Sequence, residues 1–173
     1  MLVIAPAVEP VTLAETKLFL RVDNEEEDTL IAMMIASSRR KAEQYIRRSL
    51  ITQRWKMAYD DYAPSRINLM RGPVQAMVMV VSVQRDGSSS TLLPTTYHLS
   101  ANKDVLLFDA APIGYQVELT YITGYGDAPS DVPEPIRQGM LCHIAHMYNE
   151  RDGSLEPDGM VKNLYDDYRT YFL

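Results

Sequence analysis

The spacing of apolar residues changes twice along this 173-residue chain, and those two changes bound what it can fold into. In the first third, Leu30, Ile31, Met34, Ile35, Ala42, Tyr45 and Ile46 recur at helical intervals, which predicts a long amphipathic helix over about 26–48. Thr12 followed by Glu15 fits a capping box, so a shorter helix carrying Leu13, Leu18 and Leu20 precedes it and ends near Arg21. From about 50 to 124 the pattern becomes short apolar and aromatic runs: ITQRWKMAY, RINLM, AMVMVVSV, TYHLS, DVLLF and YQVELTYI. Asp86-Gly87, Asn102-Lys103 and Pro112-Ile113-Gly114 separate them as turns. Helical spacing returns near 133–135 with Ile136, Met140, Ile144 and Met147 and stops at Asp152-Gly153. It resumes over about 158–171, with Val161, Leu164, Tyr165 and Tyr168 on one side.

An uninterrupted block of strands flanked by helices predicts an α+β fold, because a doubly wound parallel sheet needs helices between its strands. The expectation is a single domain over 1–173. Its N-terminal and C-terminal helices, about 12–48 and 133–172, form a helical bundle, and a mainly antiparallel β-unit occupies about 50–124.

Several function classes are disfavoured at this stage. The opening MLVIAPAVEPV lacks the basic start of a signal peptide and is broken by Pro6 and Pro10. The longest apolar run elsewhere, 76–81, is far below the roughly 18 residues that cross a bilayer, so no membrane association is expected. One cysteine cannot form an intrachain disulfide, which removes the argument for a secreted, cross-linked fold. A net charge of −6 argues against a general DNA binder, whose affinity comes from Lys and Arg neutralising phosphates.

Candidate chemistry concentrates in QGMLCHIAHMYNERDG, where Cys142 lies beside His143 and His146. On a helix the two histidines share a face, so both imidazoles reach one ion. A closed zinc site needs two further ligands and a catalytic one needs a third, whereas the remaining histidine, His98, sits alone in a predicted strand. Cys142 and His143 point about 100° apart and do not make a nucleophile with its base. There is no GxSxG elbow and no Walker-type loop, and Gly124-Tyr125-Gly126 lacks the third glycine of a dinucleotide loop. The expectation is a chain without catalytic residues, bound metal or cofactor, with Cys142 a buried small hydrophobe and His143 and His146 on a core or interface helix.

Charge is unevenly spread. Seven of the seventeen basic residues (Arg39, Arg40, Lys41, Arg47, Arg48, Arg54, Lys56) fall in one stretch, preceded by the acidic run Glu25, Glu26, Glu27 and Asp28. The plain reading is a solvated helix face with acids at the helix start, where the macrodipole favours them. Tyr165, Tyr168, Tyr171 and Phe172 crowd the C-terminal end, and aromatic side chains are enriched at interfaces.

The order of these segments resembles the head-to-tail connector proteins of tailed bacteriophages and gene-transfer agents. VTLAETKLFLRVDNEEEDTLIAMMIASSRRKAEQYIRRSLITQRW is similar to their opening, and VTLAE…LRVD is its most specific part. INLMRGPVQAMVMVVSV, the YHL strand, VELTYITGYG and VPEPIRQGMLCHIAHMYNERDG follow in register, so the resemblance runs from Val11 onward. It implies a head-completion adaptor in the virion neck, made in the bacterial host cytoplasm. Such a protein forms a ring, typically a dodecamer, beneath the portal protein and supports the next neck or tail component, a stopper or tail terminator. Double-stranded DNA passes through without sequence-specific binding.

Portal or partner contacts are then expected at Tyr165, Tyr168, Arg169, Tyr171 and Phe172. Contacts between neighbouring subunits are expected where Glu25, Glu26 and Glu27 of one copy meet Arg47 and Arg48 of the next. Two alternatives remain open: another neck component, such as a stopper or tail-completion protein, and a metal-dependent hydrolase using His143 and His146.

Overall fold

Every second residue of the segment Gln116–Thr123 is buried: Val117, Leu119, Tyr121 and Thr123. That period of two marks a strand with one face in a core. The computed structural model describes residues 1–60, 64–150 and 159–170. In chain order the strands are β1 (Leu2–Ile4), β2 (Gln53–Asp60), β3 (Arg66–Asn68), β4 (Val74–Val83), β5 (Ser89–Thr91), β6 (Tyr97–Leu99), β7 (Val105–Phe108) and β8 (Gln116–Thr123). The helices are α1 (Leu13–Leu20), α2 (Asp28–Ile46), α3 (Glu134–Glu150) and α4 (Gly159–Asp166). Helices flank a block of antiparallel strands, as the α+β expectation requires.

The chain divides into two compact units, Met1–Pro6 with Thr52–Tyr125 and Ala7–Ile51 with Gly126–Leu173. The first holds a five-stranded sheet in the order β1-β2-β8-β4-β5 and a three-stranded sheet in the order β3-β7-β6, all antiparallel. β2 and β8 pair along their whole length, from Gln53 opposite Thr123 to Asp60 opposite Gln116. β4 carries two irregularities against β8, at Val74/Ala76 and Met77/Met79, which fit ten residues against eight. The core draws on both sheets: Ile67, Leu69, Val74, Val80, Leu106, Phe108, Val117, Leu119 and Tyr121. The Tyr121 hydroxyl donates to the Met70 carbonyl at 3.1 Å, and burial raises its pKa to about 12. The expected turn at Asp86-Gly87 is present, with Gly87 at φ 84° and Asp86 accepting both the amide and hydroxyl of Ser88.

β1 departs from the sequence reading, which gave the apolar opening no element. It pairs with β2 at least 50 residues away, and its three side chains are exposed. A three-residue strand paired over that distance has too short a period to register as a pattern.

In the helical unit, Thr12 accepts from the Glu15 amide and Glu15 reaches back to the Thr12 amide, so the capping box forms. α1 ends at Arg21 in a left-handed conformation, φ 59°. Its apolar residues do not all face inward: Thr16 is buried, whereas Leu18 is 81% exposed. α2 buries Ile31, Ile35, Ala42 and Ile46, and α3 buries Ile136, Met140, Ile144 and Met147, each at helical spacing. α2 packs on α3, α3 on α4, and α1 on both α2 and α3. The expected stop at Asp152-Gly153 lies outside the described residues.

α4 is shorter than the sequence spacing predicts. After Asp166 the amides of Tyr168 and Arg169 bond only three residues back, and the Thr170 amide turns to the Ile46 carbonyl at 3.0 Å. The end of α2 thus captures the backbone that a longer α4 would need.

Candidate partner-binding surfaces

The charged residues of α2 separate into an internal set and two exposed poles. Arg39 is only 8% exposed, and its guanidinium bonds the carboxylates of Glu9 at 2.7 Å and Glu43 at 3.0 Å. Glu43 is buried with it and also accepts the Leu50 amide at 3.0 Å. Burial by itself lowers the pKa of Arg39, but these two carboxylates outweigh it and the net direction is up. The reading of this stretch as one solvated basic face is corrected here: Arg39 is part of the interior, while Arg40 and Arg47 are exposed.

At the start of α2, Glu27 accepts a hydrogen bond from the Tyr148 hydroxyl, and Asp28 pairs with Lys17 at 2.5 Å. Glu25 and Glu26 remain exposed beside them. At the other end Arg47 is exposed and takes a left-handed conformation, φ 60°, where glycine is the residue of least strain. Arg48 is half-buried, and its Nε donates to the Tyr168 carbonyl at 2.9 Å. Nineteen helical residues separate the poles by about 28 Å. The acidic pole lies at the helix N-terminus and the cationic pole at its C-terminus, the signs that the macrodipole favours.

Residues 166–170 are fastened to the cationic pole. The Tyr45 hydroxyl donates to Asp166 at 2.6 Å, and the Arg169 guanidinium lies 4.8 Å from the centre of the Tyr45 ring. Tyr165 is fully buried against Gly139, with its ring 6.1 Å from that of Tyr45, and burial holds its hydroxyl far above the ordinary pKa. Tyr165 is therefore part of the helical unit's own core. Tyr168 and Arg169 are half-buried, and Tyr171 and Phe172 lie outside the described residues. Sequence reasoning missed Tyr45, Glu9 and Glu43 as the residues that organise this end of the molecule, since their partners lie up to 121 positions away.

His143 is buried and His146 half-buried on α3, and Gln138 reaches the Cys142 sulfur at 3.5 Å. Among the described residues no group of three or more His, Cys, Asp or Glu side chains is placed to hold a metal ion.

Residues 10–91 match the family of phage gp6-like head-tail connector proteins. The matched stretch spans α1, α2 and β2 to β5, and it contains both poles of α2. Three solved structures share the fold over the whole chain and 97% of their own length, each at 20% identity. They are the neck of an empty gene-transfer-agent particle computed with C6 symmetry (TM-score 0.81), the virion of a native gene-transfer-agent particle (0.81), and the neck of the native particle computed with C12 symmetry (0.73). No curated protein matches the chain in sequence.

Proposed function

We propose that this chain is a structural protein of the virion neck, a head-to-tail connector that forms a ring beneath the portal and joins head to tail. The observation that carries this reading is the family match over residues 10–91. The arrangement of α2 supports it: one helix presents Glu25 and Glu26 at one end and Arg47 at the other. A ring needs two different, complementary patches on each subunit, and opposite charge at two separated poles meets that requirement. Arg48, committed to the Tyr168 carbonyl, and Glu27, committed to Tyr148, serve the interface by fixing the poles in place.

The portal contact is assigned to Tyr168, Arg169, Tyr171 and Phe172, and Tyr165 anchors the described part of that segment, Tyr168 and Arg169, from inside. The ring is a dodecamer whose opposite side receives a stopper or tail terminator. A net charge of −6 suits a conduit that passes double-stranded DNA without holding it. The role is architectural, and His143 and His146 serve packing in α3.

Mass photometry of the chain, of the portal encoded beside it, and of their mixture tests the reading. A species heavier than the portal by about twelve chains is expected; components that stay separate at all ratios contradict it.

A further inference from the structure

α1 carries its side chains the wrong way round for a helix whose only role is to pack on a core. Thr16 is fully buried, whereas Leu18 is 81% exposed and Phe19 41% exposed. The Thr16 hydroxyl donates to the Thr12 carbonyl at 2.8 Å, so it is satisfied inside its own helix and can be buried at little cost. Leaving Leu18 in water forgoes the gain of burying it. The last turn of α1 is held firmly in that orientation: the amides of Arg21 and Val22 bond the Leu18 and Lys17 carbonyls at 3.3 and 3.0 Å, and Lys17 pairs with Asp28 at the start of α2. Leu18 and Phe19 therefore stand beside the acidic pole, next to the connection that carries the exposed Glu25 and Glu26.

The complementary pattern runs along the C-terminal half of α2. Arg40 and Gln44 are exposed four residues apart on one face of the helix, and the exposed Arg47 continues that face just past its end. The three span about 10 Å. Each is a long side chain with apolar methylenes below a polar head, so the face can lie on apolar surface while its charges stay at the edge.

We propose that Leu18 and Phe19 are the apolar centre of the contact between neighbouring copies, seated against the Arg40, Gln44 and Arg47 face of the next copy's α2. The proposal rests on the ring reading and adds an apolar centre to its two charged poles. Charge complementarity selects the second copy as the occupant. The guanidinium groups of Arg40 and Arg47 meet Glu25 and Glu26, while their stems cover Leu18 and a guanidinium plane takes the face of Phe19. An apolar centre inside a charged rim is the usual build of a protein contact, and arginine is enriched there. An acidic partner face meets Glu25 and Glu26 with like charge, and a purely apolar one leaves them without a counter-charge. The two patches are different surfaces of one chain, so the contact is head-to-tail and propagates around a ring.

The experiment uses the whole chain and the portal encoded beside it. In a Cys142→Ala background, which removes the chain's only cysteine, Leu18→Cys and Gln44→Cys are made in separate chains, mixed, assembled on the portal and treated with a short bis-maleimide. The expected result is cross-linked pairs containing one chain of each kind, absent when every chain carries Leu18→Cys. Leu18→Gln should raise the concentration needed to complete the ring at least about tenfold, with the thermal midpoint of the free chain unchanged because Leu18 supports no core. This variant keeps the test decisive if the cysteine chains assemble poorly. A ring whose Leu18 and Gln44 positions do not cross-link, or a Leu18→Gln chain that completes the ring at the parent's concentration, overturns the contact and leaves the connector reading standing. Weaker binding of the first Leu18→Gln copy to the portal places Leu18 at the portal and overturns the contact as well. No ring from the unsubstituted chain overturns both readings.

Discussion

Among the described residues, the β-rich unit buries polar side chains such as Gln53, Ser82 and Thr123 but no charged one, whereas the helical unit holds Arg39 and Glu43 inside its packing. The first interior is built by alternation along β8 and its neighbours, a pattern local to each strand. The second depends on a guanidinium bridging two carboxylates that lie 30 positions before it and four after it. A buried charge network is costly to desolvate, and replacing it whole by apolar residues is often neutral or better. Its retention here coincides with its position: Glu43 also accepts the Leu50 amide just beyond the end of α2, where the cationic pole is exposed. The comparison suggests that the β-rich interior supplies stability, while the charged interior of the helical unit also fixes the geometry of a surface.

The largest effect expected from breaking either interior is Arg39→Ala, which leaves Glu43 buried without its guanidinium and should cost about 3–5 kcal/mol in denaturant unfolding. The paired replacement Arg39→Met with Glu43→Leu should recover a large part of that loss. If the single and paired variants are equally unstable, the network is not the source of the cost. Leu119→Ala, in the middle of β8, should cost about 2–5 kcal/mol through lost transfer and a residual cavity. The paired-replacement logic does not apply to it, and a cost below about 1 kcal/mol would show that the β-rich core is looser than its burial implies.

A pH titration examines both interiors at once. Burial raises the pKa of Tyr121 to about 12 and that of Tyr165 further still. Above the unfolded value near 10 the unfolded chain gives up protons that the folded chain keeps, so stability falls as pH rises. For Tyr121 the loss should run from about pH 10 to about pH 12 and amount to about 2–3 kcal/mol. Tyr121→Phe should remove its share of that slope, and an unchanged slope in the variant would mean the hydroxyl is accessible in the folded chain.

The smallest effect concerns the pole itself. Arg47 holds a left-handed conformation that glycine adopts more easily, so Arg47→Gly should stabilise the isolated chain by about 0.5–1 kcal/mol. If Arg47 is kept for a neighbouring subunit, the same variant should assemble less well on the portal despite its greater stability. Assembly equal to that of the parent chain would remove Arg47 from the interface.

How much of this was readable in advance follows the same division. The capping box at Thr12 and Glu15, the stop at Arg21, and the spacing of Ile31, Ile35, Ala42 and Ile46 are local signals, and the structure keeps them. So are the alternating residues of β8 and the Asp86-Gly87 turn. What sequence spacing missed depends on distant partners. Arg39 looks like any other residue of a basic face until Glu9 is placed beside it, and Leu18 looks like core although it is 81% exposed. Met1–Ile4 acquire a role only through β2. The residues expected at contacts show the same split: Glu25, Glu26 and Arg47 are exposed as surface charges, whereas Tyr165, expected at a partner surface, is buried by its fit against Gly139 and Tyr45.

The most direct test of the connector account is cryo-electron microscopy of this chain bound to the portal from its own genomic neighbourhood. The account predicts a closed ring on one end of the portal, with Glu25 and Glu26 of each copy facing Arg47 of the next. A portal that stays bare, or a ring whose subunit boundaries lie away from both ends of α2, would contradict it.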